Sequence, residues 1–144
     1  MNFEECIKTN GYIVYTNVGG SMLPLLREGR DLMVIEKINK PLKFFDAVLF
    51  RRPNIKGRGE YVLHRIVKCN KDGTYYIIGD NCYTGEVVKE ENILGLLSKI
   101  KRGKKEINCE SISHKIYVYL WYLTYPIRFC IHIVWAIIRK IFKL

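Results

Sequence analysis

Three groups of residues in this chain have the types and spacing to act as a nucleophile, a base and an acid. Ser21 lies in Gly19-Gly20-Ser21-Met22-Leu23-Pro24, where two glycines let the backbone turn sharply and expose a hydroxyl. His64 follows 43 residues later in the run Tyr61-Val62-Leu63-His64-Arg65-Ile66-Val67. Asp80 lies beyond it, in the turn sequence Gly79-Asp80-Asn81. A hydroxyl attacks a carbonyl only when a neighbouring base takes its proton, and the base works best when a third group orients it. The free amide of Ser21 would serve as an oxyanion donor, with Gly19 and Gly20 allowing close approach of a substrate. Met22 would lay an apolar side chain beside a substrate backbone, and Pro24 would stiffen the exit from the turn. An imidazole with an ordinary pKa of about 6.5 is well matched to deprotonating a serine at neutral pH.

Each piece has a plain structural alternative. Gly-Gly-Ser alone is a hairpin turn, a histidine among apolar residues is commonly a core side chain, and Asp in a turn often only satisfies local amides. Glu86 alone reads as a surface glutamate, Asp46 as a local cap at a strand start, and Cys82 as a small buried apolar residue lacking its own base. Alternation puts Val62, His64 and Ile66 on one face and Tyr61, Leu63 and Arg65 on the other, with Arg65 expected as a solvated charge. The ordered set is what raises these residues above their separate readings.

In that combination the chain resembles the type I signal peptidase family of membrane serine endopeptidases, over roughly residues 11–100. Ser21-Met22-Leu23-Pro24 is similar to the family's Ser-Met-x-Pro element, and the run around His64 to its base-bearing strand. Gly79-Asp80-Asn81 matches its Gly-Asp-Asn box, and residues 31–34 and 45–50 resemble two framework strands. Bacterial members and the related LexA-like autoproteases carry lysine at the base position, so His64 is similar to the endoplasmic-reticulum and archaeal type. The resemblance implies Ser21 as nucleophile and His64 as general base. It leaves the third member open between Asp80 and Glu86, since histidine-type relatives place the acid several residues past the box. The hydroxyl that some members carry two positions before the serine is Gly19 here. The implied substrate is the leader or signal segment of a precursor peptide or preprotein, read through shallow pockets for small side chains, with no cofactor and no metal.

The elements around these residues read as β structure. Short runs rich in Val, Ile, Tyr and Phe at 12–18, 31–37, 46–51, 60–69, 74–78 and 93–100 are separated by Gly, Pro, Asn and Asp. Lys71-Asp72-Gly73 is a hairpin signal, because glycine takes the positive φ a tight turn needs. Residues 3–8 allow one or two helical turns, and residues 51–59 read as an exposed, mobile loop. The expected fold is mainly β: a small, partly open barrel or coiled sheet over residues 1–110, followed by a helical tail over 111–144.

Charge and hydropathy set that tail apart. Residues 1–98 hold 14 Lys and Arg against 12 Asp and Glu, whereas residues 99–144 hold 10 against 2. Such asymmetry points to an anionic partner, and interleaving with apolar runs favours a lipid surface over nucleic acid. Residues 116–127 carry no charge, but a spanning helix needs about 20 apolar residues, so neither half of the tail crosses a bilayer alone. Over 127–143 a helix would gather Arg128, His132, Arg139 and Lys143 within roughly 60°, leaving Ile, Phe, Val and Trp apart from Lys140. A shallow re-entrant hairpin turning at Pro126 is the alternative. Five cysteines, an odd number without a Cys-x-x-Cys pair, argue against a disulfide framework or a zinc site. The first residues, Met-Asn-Phe-Glu-Glu-Cys, do not form a secretory signal. These features suggest a membrane-associated protein on the cytoplasmic side.

Two other functions fit the same residues. One is a LexA-like autoproteolytic regulator, against which stand the histidine in place of lysine and the lack of a helix-turn-helix. The other is a non-catalytic β module that binds membrane through its basic, aromatic tail.

Overall fold

Alternating β-branched and aromatic residues build an eight-stranded antiparallel sheet in the computed structural model, which describes residues 2–53 and 60–143. The chain divides into two units, Met1–Ser111 and Ile112–Leu144. The first begins with helix α1 (Phe3–Asn10), capped at its start by Asn2 and ended by Gly11, whose φ of 82° only glycine adopts without strain. Strands β1 (Tyr12–Thr16), β2 (Asp31–Glu36), β3 (Ala47–Arg52), β4 (Glu60–Cys69), β5 (Thr74–Ile78), β6 (Glu86–Lys89), β7 (Ile93–Arg102) and β8 (Lys105–Asn108) follow. Their order in the sheet is β1-β2-β7-β3-β4-β5-β6, and β8 pairs with β7. The sheet does not close. Ten residues long, β7 gives one edge to β2, while β3 and β8 share the other.

Val48 and Phe50 of β3, Ile66 of β4, Ile77 of β5, Val88 of β6 and Ile93 and Leu96 of β7 form a buried apolar cluster. Val62 packs against it, so the expected alternation along β4 holds for Val62 and Ile66. It fails for the opposite face, where Leu63 and Arg65 are buried too. Arg65, expected as a solvated charge, is 1 % exposed because the Gly79-Asp80-Asn81 turn lies over that face and supplies a carboxylate partner. β4 is therefore covered on both sides at its centre.

Strands β4 and β5 have the boundaries expected from the sequence, and β7 runs two residues further, into a hairpin turning at Gly103. Strands β6 (Glu-Val-Val-Lys) and β8 (Lys-Glu-Ile-Asn) were not expected. Four residues with charged ends give too little alternation to register, and tertiary pairing makes them strands. The Lys71-Asp72-Gly73 turn forms as expected: Gly73 has φ 79°, and Asp72 accepts hydrogen bonds from the amide and hydroxyl of Thr74. Of the segment expected as a loop, Arg51 and Arg52 extend β3, and residues 54–59 lie outside the described residues.

The second unit holds helices α2 (Ile112–Leu123) and α3 (Tyr125–Phe142). They meet at Thr124 with a 48° bend, a kink and not the reversal of a hairpin, and Pro126 falls in the first turn of α3, where its missing N–H is tolerated. No single helix among the described residues is long and apolar enough to cross a membrane.

Ile66 is fully buried at the centre of the cluster. Ile66→Ala should cost about 2–5 kcal/mol of unfolding free energy, read from a urea titration with an unchanged slope.

Candidate active site

His64 enters the site from the middle of β4, opposite Val48 of β3 in the sheet register. Its ring lies 6.0 Å from that of Phe50, at the margin of the apolar cluster. It is 7 % exposed, and neither Nδ1 nor Nε2 has a hydrogen-bond partner among the described residues. Buried polar nitrogens normally find partners, so a ring left with none is an exception that needs a reason. Burial is the largest influence on its titration and pushes it below the ordinary 6.5. The Glu86 carboxylate pulls it back up, and the Arg52 guanidinium opposes that pull. His64 is thus held neutral at physiological pH, the form that can accept a proton.

Ser21 lies in the turn after β1, and its backbone is tied to the Gly79-Asp80-Asn81 turn. The Asn81 amide donates to the Ser21 carbonyl at 2.8 Å, and the Asn81 side chain donates to the Gly20 carbonyl at 3.1 Å. Because a trans peptide points its C=O and N–H in opposite directions, the grip on Gly20 orients the Ser21 N–H away from Asn81. Gly19 has φ 78°, its carbonyl accepts from the Asn17 side chain, and its amide donates to the Glu28 carboxylate. That amide is therefore already engaged.

One cavity of about 670 Å³ takes Ser21, His64, Gly19, Gly20 and Cys82 into its wall. No hydrogen bond joins Ser21 to His64, but both face the same space. Gly79 explains how closely the pieces approach. A Cβ at that position would sit 2.6 Å from the Ser21 carbonyl oxygen, 2.7 Å from the Cys82 sulfur and 3.0 Å from His64 Nε2. Only a residue without a side chain permits this meeting.

The acidic candidates are placed elsewhere. Asp80 is buried in a two-point ion pair with Arg65, Oδ1 accepting from Nε at 2.8 Å and Oδ2 from Nη2 at 3.0 Å. Glu86, first residue of β6, is held by Arg52 through both guanidinium nitrogens that face it. Neither carboxylate is hydrogen-bonded to His64. Asp46 caps its own turn, accepting from the Lys43 amide at 3.0 Å, as the sequence suggested.

Two further expectations are corrected. Met22, expected beside a substrate backbone, is 1 % exposed and lies outside the cavity wall; its sulfur accepts from the Asp80 amide at 3.5 Å. An apolar side chain next to a buried ion pair is better used as packing than as a contact surface. Cys82, expected as buried filler, is half-buried and lines the cavity, and burial pushes its thiol above the ordinary range.

Several wall residues escaped sequence reading. Phe3 of α1 packs edge-on to Tyr15 and tilted against Tyr61, with ring centroids 4.7 Å from each, and all three line the cavity. Asn17 and Arg52 also contribute. Only Asn17, four residues before Ser21, lay near enough in sequence to be considered. No protein-family model matches this chain, and no curated protein or solved structure is detectably similar to it.

Removing the Asp80 carboxylate leaves Arg65 charged in the interior, so Asp80→Ala should cost about 3–5 kcal/mol by chemical denaturation. Gly79→Ala forces a methyl against the Ser21 carbonyl and should cost about 1–3 kcal/mol, with the His64 ring resonances shifted in NMR spectra.

Proposed function

We propose that this chain is a serine endopeptidase of the signal-peptidase type, cutting leader or signal segments from precursor peptides. Ser21 is the nucleophile and His64 the general base. The observation that carries this reading is a half-buried serine in a turn and a buried, unpartnered, neutral imidazole facing one cavity. The ordered Ser-Met-Leu-Pro, Leu-His-Arg and Gly-Asp-Asn elements and the mainly β fold add support.

In this mechanism an extended peptide enters the cavity and His64 takes the Ser21 hydroxyl proton as oxygen attacks the scissile carbonyl. The Ser21 amide donates to the developing oxyanion. Protonated His64 then gives its proton to the departing amine, leaving an acyl-enzyme. Water, deprotonated by the same imidazole, releases the new C-terminus. Asp80 acts through architecture, holding the turn that grips Ser21. Glu86 acts through its field, since its carboxylate favours the imidazolium that forms in the transition state.

Ser21→Ala and His64→Ala should each lower kcat/KM on a cleaved precursor by at least about 10³-fold with the fold retained, measured by mass spectrometry of products. Wild-type activity in either variant rejects the mechanism. Because burial depresses the His64 pKa, kcat/KM should rise with pH along a limb centred below 6.5 and be flat from 7 to 8. Stability should follow the same sign: complete above the unfolded-state value near 6.5, and declining as pH falls towards the lower folded-state value.

A further inference from the structure

α3 is an 18-residue helix without one buried residue. Ile133, Val134, Ile137 and Ile141 are 42 %, 53 %, 52 % and 67 % exposed. At about 100° per residue they fall on the side of the helix away from Arg128, Arg139 and Lys143. A continuous apolar face of this size in water is unfavourable and marks an interaction surface. Residues 111–144 contain five Lys and Arg and no Asp or Glu, so the partner is anionic as well as apolar.

The bend is built to hold these features together. The Arg128 guanidinium lies 3.6 Å from the centroid of the Trp121 ring and 5.6 Å from that of Tyr125. It donates to the Trp121 carbonyl at 2.7 Å and to the Thr124 hydroxyl at 3.4 Å. One cation thereby ties the last turn of α2 to the first turn of α3. Trp121 lies against Arg128, and Trp135 falls on the same side of α3 as the basic residues, where a bilayer headgroup layer favours aromatic rings.

We infer that α2 and α3 form an anchor lying in the plane of an anionic phospholipid surface. The Ile133, Ile137 and Ile141 face turns towards the acyl chains, and Arg128, Arg139 and Lys143 reach the phosphates. A nucleic acid would cover the cations and leave the isoleucine face in water. A second copy of the helix would cover the isoleucines and leave the cations without an anionic partner. An anionic bilayer satisfies both faces at once, and the separation of an apolar side from a basic side along α3 fits a position along the surface. This inference stands apart from the peptidase reading.

Flotation of the full-length chain with vesicles of phosphatidylglycerol and phosphatidylcholine, and of phosphatidylcholine alone, tests it. Wild type should float with the mixed vesicles and bind the neutral ones far more weakly. The double substitution Arg139→Gln/Lys143→Gln should weaken partitioning roughly 20-fold, and Ile137→Glu roughly 50-fold. Tryptophan fluorescence should be quenched more by lipids brominated near the headgroup than by those brominated near the chain end. Failure to float with anionic vesicles overturns the inference. So does unchanged binding of the double variant, quenching strongest at the bilayer centre, or retention of nucleic acid without vesicles.

Discussion

The buried ion pair between Arg65 and Asp80 is the interaction on which the site's arrangement depends. Arg65 is the next residue after His64 on β4, and Asp80 lies between Gly79 and Asn81 in the turn after β5. The pair joins the strand that carries the imidazole to the turn that holds the Ser21 backbone. A third contact, from Arg65 Nη1 to the Phe45 carbonyl, fixes the guanidinium to the loop before β3. Two charges this deeply buried are costly to desolvate, and replacement by apolar residues of equal volume often leaves a protein as stable. What apolar residues would lack is direction. A planar guanidinium and a carboxylate meet in one geometry, and that geometry sets how Asn81 reaches Ser21 and Gly20.

Strand alternation then divides the labour at β4. On one face Ile66 and Val62 join the apolar cluster and His64 closes its margin; on the other Arg65 takes the ion pair. The imidazole is left without a hydrogen bond while its neighbour is saturated with them. Burial would make such a ring a poor proton acceptor, and the nearby Glu86 carboxylate offsets part of that effect. Because Arg52 holds Glu86, the carboxylate acts through space and not by contact. Such a bias favours the imidazolium without fixing the tautomer of the neutral ring.

The two units use opposite solutions to the same composition. Residues of the sheet bury their Val, Ile and Phe against one another, whereas α3 keeps its isoleucines exposed along one side. In the sheet several cations are matched by carboxylates, as in Arg30 and Arg102 with Asp31 or Arg52 with Glu86. Beyond Glu110 there is no carboxylate side chain to match them.

Local chemistry was legible in the sequence wherever it is set by residues a few positions apart. Gly73 permits its turn, Asp46 caps its own loop, and the β-branched and aromatic runs of β4 and β5 form strands with the expected bounds. Ser21 and His64, chosen from the sequences around them, line one cavity. The partners of the charged groups could not be chosen in that way, since a carboxylate pairs with whichever cation the register brings opposite, and Asp80 and Glu86 were both drawn to cations on other strands. The same holds for Phe3, Tyr15 and Tyr61, which meet across three elements to wall the cavity. Sequence alone determined most of the segments that extend or turn and the stretch that is apolar and basic, but not the four-residue strands β6 and β8. Only the tertiary structure decided which side chains share a space, because that depends on long-range strand pairing that no short stretch of chain encodes.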